Sequence, residues 1–371
     1  MNLLKYKFKK YIFALKKFHR YTSLTFNDYS IYLKPGKYKF DFNYGYYYLK
    51  GFNHSRYPEK LFEKSRTKFG TNFLENFVLK ISYFLIALFS KKNVSENSNF
   101  KQYEAELVFN KRGAGFKFFD PYNRKIFSIL SVLDGLKSVD EIKIVNEHFD
   151  TPIIETHKDG KVIIEDWILE TPLDELNQCD SLMIYTNFLK DLNHFIADYD
   201  FSSVVKVNSK SVLNDFEWVI SNLPFQTLEK IKQLNLDFPL VHFFADIGLH
   251  NILIKKNKYK MIDYDGFREI FPFTIALNFL VSMSNGTPFK ALYNYKKGTF
   301  DLYFKELFNY LKLEYDPNLK EIYFIYSYLI EMYIHQNFTD NRLGKAEKLN
   351  RIKTRFNAIM KKYYSIKVPW N

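Results

Sequence analysis

"VHFFADIGLHNILIKKNKYKMIDYDGF", residues 241–267, sets acid among apolar residues. Asp246 and Asn251 lie five positions apart, a short apolar run follows, and Asp263 and Asp265 come after a Lys-rich turn. A carboxylate moved from water into an apolar setting is costly unless a cation or a hydrogen-bond donor meets it. "NILI" and "YKMI", either side of "KKNK", read as two short strands of a hairpin. A hairpin returns its second strand to the start of its first, so Asn251 and Asp263, twelve apart, become neighbours. One carboxamide and three carboxylates so gathered suit a hard divalent cation, which takes oxygen ligands.

Around this stretch the chain is long and aromatic. Its 371 residues include 39 Phe and 29 Tyr, enough for two lobes around a cleft. The single cysteine, Cys179, excludes a disulfide framework and a multi-cysteine zinc site, and fits a reducing compartment. The net charge of +13 suggests an anionic partner such as phosphate or lipid head groups. No nucleic-acid-binding motif is present, so nucleic acid is not expected as a partner. The basic excess gathers at the ends: residues 1–20 hold seven Lys or Arg and no acid, and the tail from Arg342 to Lys367 is almost as lopsided. Residues 76–89, "NFVLKISYFLIALF", are the most apolar segment, but Lys80 interrupts it. It falls short of the roughly 20 residues needed to span a bilayer, and reads as a buried helix first and a membrane-surface helix second. The protein is expected in the cytoplasm, with peripheral contact at the inner face of an anionic membrane as an extension of that expectation.

Along the chain, residues 1–100 form a basic, aromatic extension without visible chemistry. From 101 to 170 the pattern is "YEAELVFN", "FKFFDP" and "KIFSIL" as strands, then "SVDEIKIVNEHF" as a helix, then the hairpin "TPIIET-HKDG-KVIIEDWIL". "ETPLDEL" leaves the sheet, and 171–371 reads mainly helical apart from the acidic hairpin. The fold class is α+β: a five-stranded antiparallel lobe with one helix, followed by a helical lobe. His19, His54, His157 and His194 show no metal-ligand spacing.

Phosphoryl transfer needs metal ligands, a carboxylate to position the attacking hydroxyl, and cover for a triphosphate. Asp246, Asn251 and Asp263 supply the first two. With these residues the sequence resembles the protein-kinase-like fold, whose catalytic loop has the same Asp-to-Asn spacing. It is most similar to the aminoglycoside phosphotransferase and choline kinase group, which includes bacterial kinases of lipopolysaccharide and capsule sugars. That group uses "D-x-x-x-x-N-I-L" and "I-D-[FYW]-[DE]", and "IIEDWILETPLDEL" looks like its hinge. The resemblance covers about residues 103–300. This chain has Phe244 two residues before Asp246, where the group usually has His, and its nearest upstream His is His242.

The resemblance implies Asp246 as catalytic base, Asn251 and Asp263 as Mg2+ ligands, and Asp265 as a further metal carboxylate. It implies that the backbone of Glu165, Asp166, Trp167 and Ile168 meets the adenine of ATP, and that "KRGAG", with Gly113 and Gly115, covers the phosphates. Lys125, paired with Glu141, would reach the phosphates, with Lys117 as the alternative lysine. The expected activity is an ATP- and Mg2+-dependent kinase of a hydroxyl-bearing acceptor, a sugar or lipid-linked glycan of a bacterial envelope. The alternatives are a kinase of a small soluble alcohol or aminoglycoside, and an inactive nucleotide-binding scaffold.

Overall fold

The computed structural model describes residues 26, 28–41, 46–57, 92–95, 103–110, 115–130, 137–157, 162–244, 247–262, 267–287, 289–338 and 342–367. The expected helix at 76–89 lies outside them. The chain divides into two compact units, residues 1–140 with 152–167, and residues 141–151 with 168–371.

The first unit is built on one antiparallel sheet of eight strands, in the order β3-β1-β2-β4-β5-β6-β8-β7. The strands are β1 (Gly36–Asp41), β2 (Tyr46–Leu49), β3 (Lys92–Val94), β4 (Leu107–Asn110), β5 (Gly115–Asp120), β6 (Lys125–Leu130), β7 (Ile153–His157) and β8 (Val162–Asp166). Helix α1 (Lys137–His148) separates β6 from β7 in sequence. The last five strands and the single helix are those expected from the sequence. The count of five is corrected to eight, because β1, β2 and β3 come from residues 36–94 and pair into the same sheet. Their signal was present: in β1, Lys37 and Lys39 are exposed while Tyr38 and Phe40 between them are buried, the alternation of a half-covered strand. Aromatics on every side of the stretch hid that period.

Both faces of the sheet are covered, which explains why its strands are apolar in both registers. On one face Phe116, Phe118, Phe127, Ile129, Val162 and Ile164 form a core with Phe26, Tyr29, Tyr32 and Leu33. On the other, Leu107 and Phe119 pack with Tyr46 and Tyr57, and Ile126 and Trp167 lie against them. A buried Phe contributes roughly 2–3 kcal/mol relative to water, so residues 26–57 are integral to this unit's stability. The aromatic residues of β2 accordingly serve packing, with Tyr46 and Tyr47 buried.

The second unit is helical. Helix α2 (Gln178–Ala197) starts at Asn177, whose side chain accepts from the Asp180 amide, a helix-capping arrangement. Its apolar stripe, Ile184, Phe188, Leu192 and Phe195, is buried. Further helices are α3 (Ser209–Ile220), α4 (Phe225–Gln233), α5 (Pro272–Gly286), α6 (Ala291–Lys297), α7 (Asp301–Tyr310), α8 (Lys320–Asn337) and α9 (Arg342–Ser365). Helix α8 is buried on almost every side from Ile322 to Ile330, as befits the helix at the core of the unit. Three two-stranded ladders interrupt the helices: β9 (Lys206–Asn208) with β10 (Asp237–Pro239), β11 (Val241–Phe244) with β14 (Phe267–Ile270), and β12 (Ile252–Lys255) with β13 (Lys258–Met261).

Candidate active site

The expected acidic hairpin is present as β12 and β13, with Ile252 opposite Met261 and Lys255 opposite Lys258. Its two-residue turn puts Lys256 at φ 57, a conformation that a two-residue hairpin demands and that glycine adopts with less strain. The hairpin is held along both edges. The Thr171 amide donates to the Ile254 carbonyl at 2.7 Å, and the Met261 amide donates to the Asp150 carbonyl at 2.8 Å. Lys260 Nζ adds a bond to Asp150 Oδ1 at 2.7 Å, and Tyr259 donates its hydroxyl to Asp191.

At the open end, the Asn251 amide donates to the Gly248 carbonyl and the Ile262 amide donates to the Asn251 carbonyl, each at 2.9 Å. The Leu249 amide is fixed by Ser282 Oγ on α5 at 2.8 Å. Asn251 is 5% exposed, a buried carboxamide at the mouth of the hairpin. Sequence reading missed the second ladder, in which β11 and β14 pair from Val241 opposite Ile270 to Phe244 opposite Phe267. "VHFF" and "FREI" are too short and too aromatic to show a period. Their pairing closes the whole 245–266 segment into one loop whose ends touch. Asp246, Asp263 and Asp265 themselves lie outside the described residues.

Side chains brace this ladder. His242 Nε2 meets Glu141 Oε1 on α1 at 2.9 Å, and its Nδ1 meets Glu269 Oε1, directly across the ladder, at 3.3 Å. Arg268 hydrogen-bonds His335 Nε2 and, at 3.2 Å, Glu331 Oε1, both on α8. Burial, reinforced by the Arg268 guanidinium and by Lys348, pushes the His335 imidazole down to about 3. His335 is therefore a neutral acceptor for the arginine, and a proton there would set two cations together.

The first unit holds the residues expected at the nucleotide end. Lys125 and Asp166 stand opposite each other in the β6–β8 ladder and form an ion pair at 2.7 Å. Register decides this, since directly opposed residues share one face of a sheet. Within the second unit, Glu141 pairs with His242. Glu165 is 2% exposed. Its Oε2 accepts from Ser128 Oγ at 2.6 Å and lies 3.8 Å from Lys117 Nζ, while its Oε1 is buried without a hydrogen bond. Lys117, Ser128 and Glu165 were legible as polar side chains on the inward beat of aromatic strands. The amides of Asp166 and Trp167, expected to meet a base, donate to the carbonyls of Pro152 and Arg124. Ile168 follows at the start of the second unit. Gly115 opens β5 opposite Leu130, and Gly113 lies outside the described residues.

Among the described residues there is no cluster of three or more His, Cys, Asp or Glu side chains able to hold a metal, and no helix long and apolar enough to cross a membrane. No family model matches the chain, and no curated protein matches it. Solved structures similar to it include an amicoumacin kinase complex with AMP-PNP and Ca2+ (12% identity, 64% of this chain and 83% of that one, TM-score 0.34). A choline/ethanolamine kinase family protein from Mesorhizobium loti shows 13% identity over 65% and 84% of the two chains, with a TM-score of 0.32. A thermostable mutant of aminoglycoside phosphotransferase APH(4)-Ia shows 14% identity over 67% and 90%, with a TM-score of 0.36.

Proposed function

We propose that this protein is an ATP- and Mg2+-dependent phosphotransferase with an alcohol acceptor, built as a kinase-like pair of lobes. The observation that carries this reading is the double closure of the 245–266 segment. Phe244 stands opposite Phe267, and the Ile262 amide is bonded to the Asn251 carbonyl. Asp263 follows Ile262 directly, Asp246 follows Phe244 by two residues, and Asp265 precedes Phe267 by two. Ile262 is held against Asn251 by that hydrogen bond, and Asp263 is the next residue in sequence. That supports one ion shared by their side chains.

The donor set fits magnesium: one carboxamide and up to three carboxylates, all hard oxygen. Asn251 and Asp263 would hold the ion and Asp265 would support it. Magnesium, when bound, neutralises charge on the phosphates being transferred. Asp246 would orient the acceptor hydroxyl and receive its proton. Gly113 and Gly115 would allow close approach of the phosphates, Lys125 or Lys117 would meet their charge, and a base would find its backbone donors from Ile168 onward. The acceptor class that suits a chain of net charge +13 is anionic, such as a phosphorylated sugar or lipid-linked glycan at the inner face of an envelope membrane. The test is transfer of the γ-phosphate from ATP to such acceptors, with and without Mg2+, by wild type and Asp263→Asn. Metal-dependent transfer lost in the variant supports the reading; transfer indifferent to both ends it.

A further inference from the structure

Independently of the phosphotransfer reading, we infer that α9 and the α3–α4 corner form a docking surface for an anionic lipid bilayer. Helix α9 carries eight Lys or Arg and one acid, Glu347. Its buried side, Ile352, Phe356, Ile359, Met360 and Tyr363, packs inward, and Arg351, Arg355, Lys361 and Lys362 are exposed. Helices α3 and α4 together hold Lys210, Lys230 and Lys232 against Asp215, Glu217 and Glu229, which cancel. The excess positive charge of this surface therefore belongs to α9.

The second observation is apolar. Phe225, at the first turn of α4, is 75% exposed, and Trp218 on α3 is 52% exposed. Both border α9. Lys353 Nζ lies 4.2 Å above the Trp218 ring. Two residues beyond Phe225, Thr227 Oγ1 bonds Glu321 Oε1 at 2.7 Å, and Tyr364 of α9 bonds the same oxygen at 2.5 Å. Lys353, Asn357, Lys361 and Tyr364 follow helical spacing, so they share the side of α9 that runs between these two contacts. The strip from Lys353 to Tyr364 is about 16 Å long.

Exposed aromatics beside basic side chains is the composition of helices that lie in a headgroup layer. The rings rest at the acyl boundary while lysine stems reach outward to lipid phosphates. A nucleic-acid backbone would answer the lysines but leave Phe225 in water, which favours the bilayer.

The experiment uses the full chain with vesicles of neutral phosphatidylcholine, the same vesicles containing phosphatidylglycerol, and a nucleic-acid duplex as competitor. Wild type is expected to sediment with anionic vesicles only, with a blue shift of tryptophan emission that Trp218→Phe removes. Each basic residue near an anionic surface contributes about fivefold, so Lys353→Gln with Lys361→Gln should weaken binding about 25-fold. Phe225→Ser, a change at an exposed position that leaves the core intact, should weaken it about tenfold. Binding that survives all of these variants, equal binding to neutral vesicles, or tighter binding to the duplex would overturn the assignment.

Discussion

Replacing His335 with Gln should remove a measurable part of the protein's acid sensitivity. In the folded state the imidazole is 3% exposed and accepts from Arg268, while Glu331 completes the set. Its pKa falls from 6.5 to about 3. A depressed histidine leaves the unfolded chain binding more protons, so its contribution is complete above the unfolded value and is lost as pH falls toward the folded one. Between pH 7 and pH 5 the difference amounts to about 2 kcal/mol, taking 1.36 kcal/mol for each unit below 6.5. Glutamine keeps an acceptor for Arg268 but takes up no proton. Urea unfolding of wild type and His335→Gln at both pH values isolates this group, since every other titration is common to the two. The wild type should lose about 2 kcal/mol more than the variant on acidification. Equal losses in both proteins would refute the buried neutral imidazole and the account of Arg268 built on it.

Other outcomes follow from the same geometry. Lys117→Met leaves buried Glu165 with only Ser128 and should cost about 2 kcal/mol in chemical unfolding, whereas Lys125→Met breaks a pair with exposed Asp166 and should cost under about 1 kcal/mol. Under the proposed phosphotransfer function, Asp246→Asn should lower kcat about 10²-fold or more in a phosphate-transfer assay while leaving the melting temperature unchanged. Thr171→Val removes the hydroxyl that accepts from the Lys256 amide and should destabilise the second unit by about 1 kcal/mol, read as faster amide exchange at the hairpin turn.

Much of this was legible in the sequence, for identifiable reasons. The strands from Leu107 to Asp166 are short apolar runs bounded by turn residues, the hairpin from Ile252 to Met261 alternates, and the structure has them there. Helix α1 was visible from the spacing of Ile142, Val145 and Phe149, all buried. Strand β1 does alternate, but it was hidden among flanking aromatics, and β2 is aromatic in both registers. The β11–β14 ladder was hidden because four-residue strands pair across an intervening hairpin, a long-range event without local signature. Register sets Lys125 opposite Asp166, a pairing that sequence distance does not show. A polar residue's partner in a sheet is set by strand order, which a single sequence does not print.

The central claim concerns one ion between Asn251 and Asp263. Crystals of the full chain grown with Mn2+ and a non-hydrolysable ATP analogue allow the ion to be located by its anomalous scattering. A peak is expected about 2.2 Å from Asn251 Oδ1 and from an Asp263 carboxylate oxygen. A metal bound only by the nucleotide, or at a site that includes neither side chain, would contradict it.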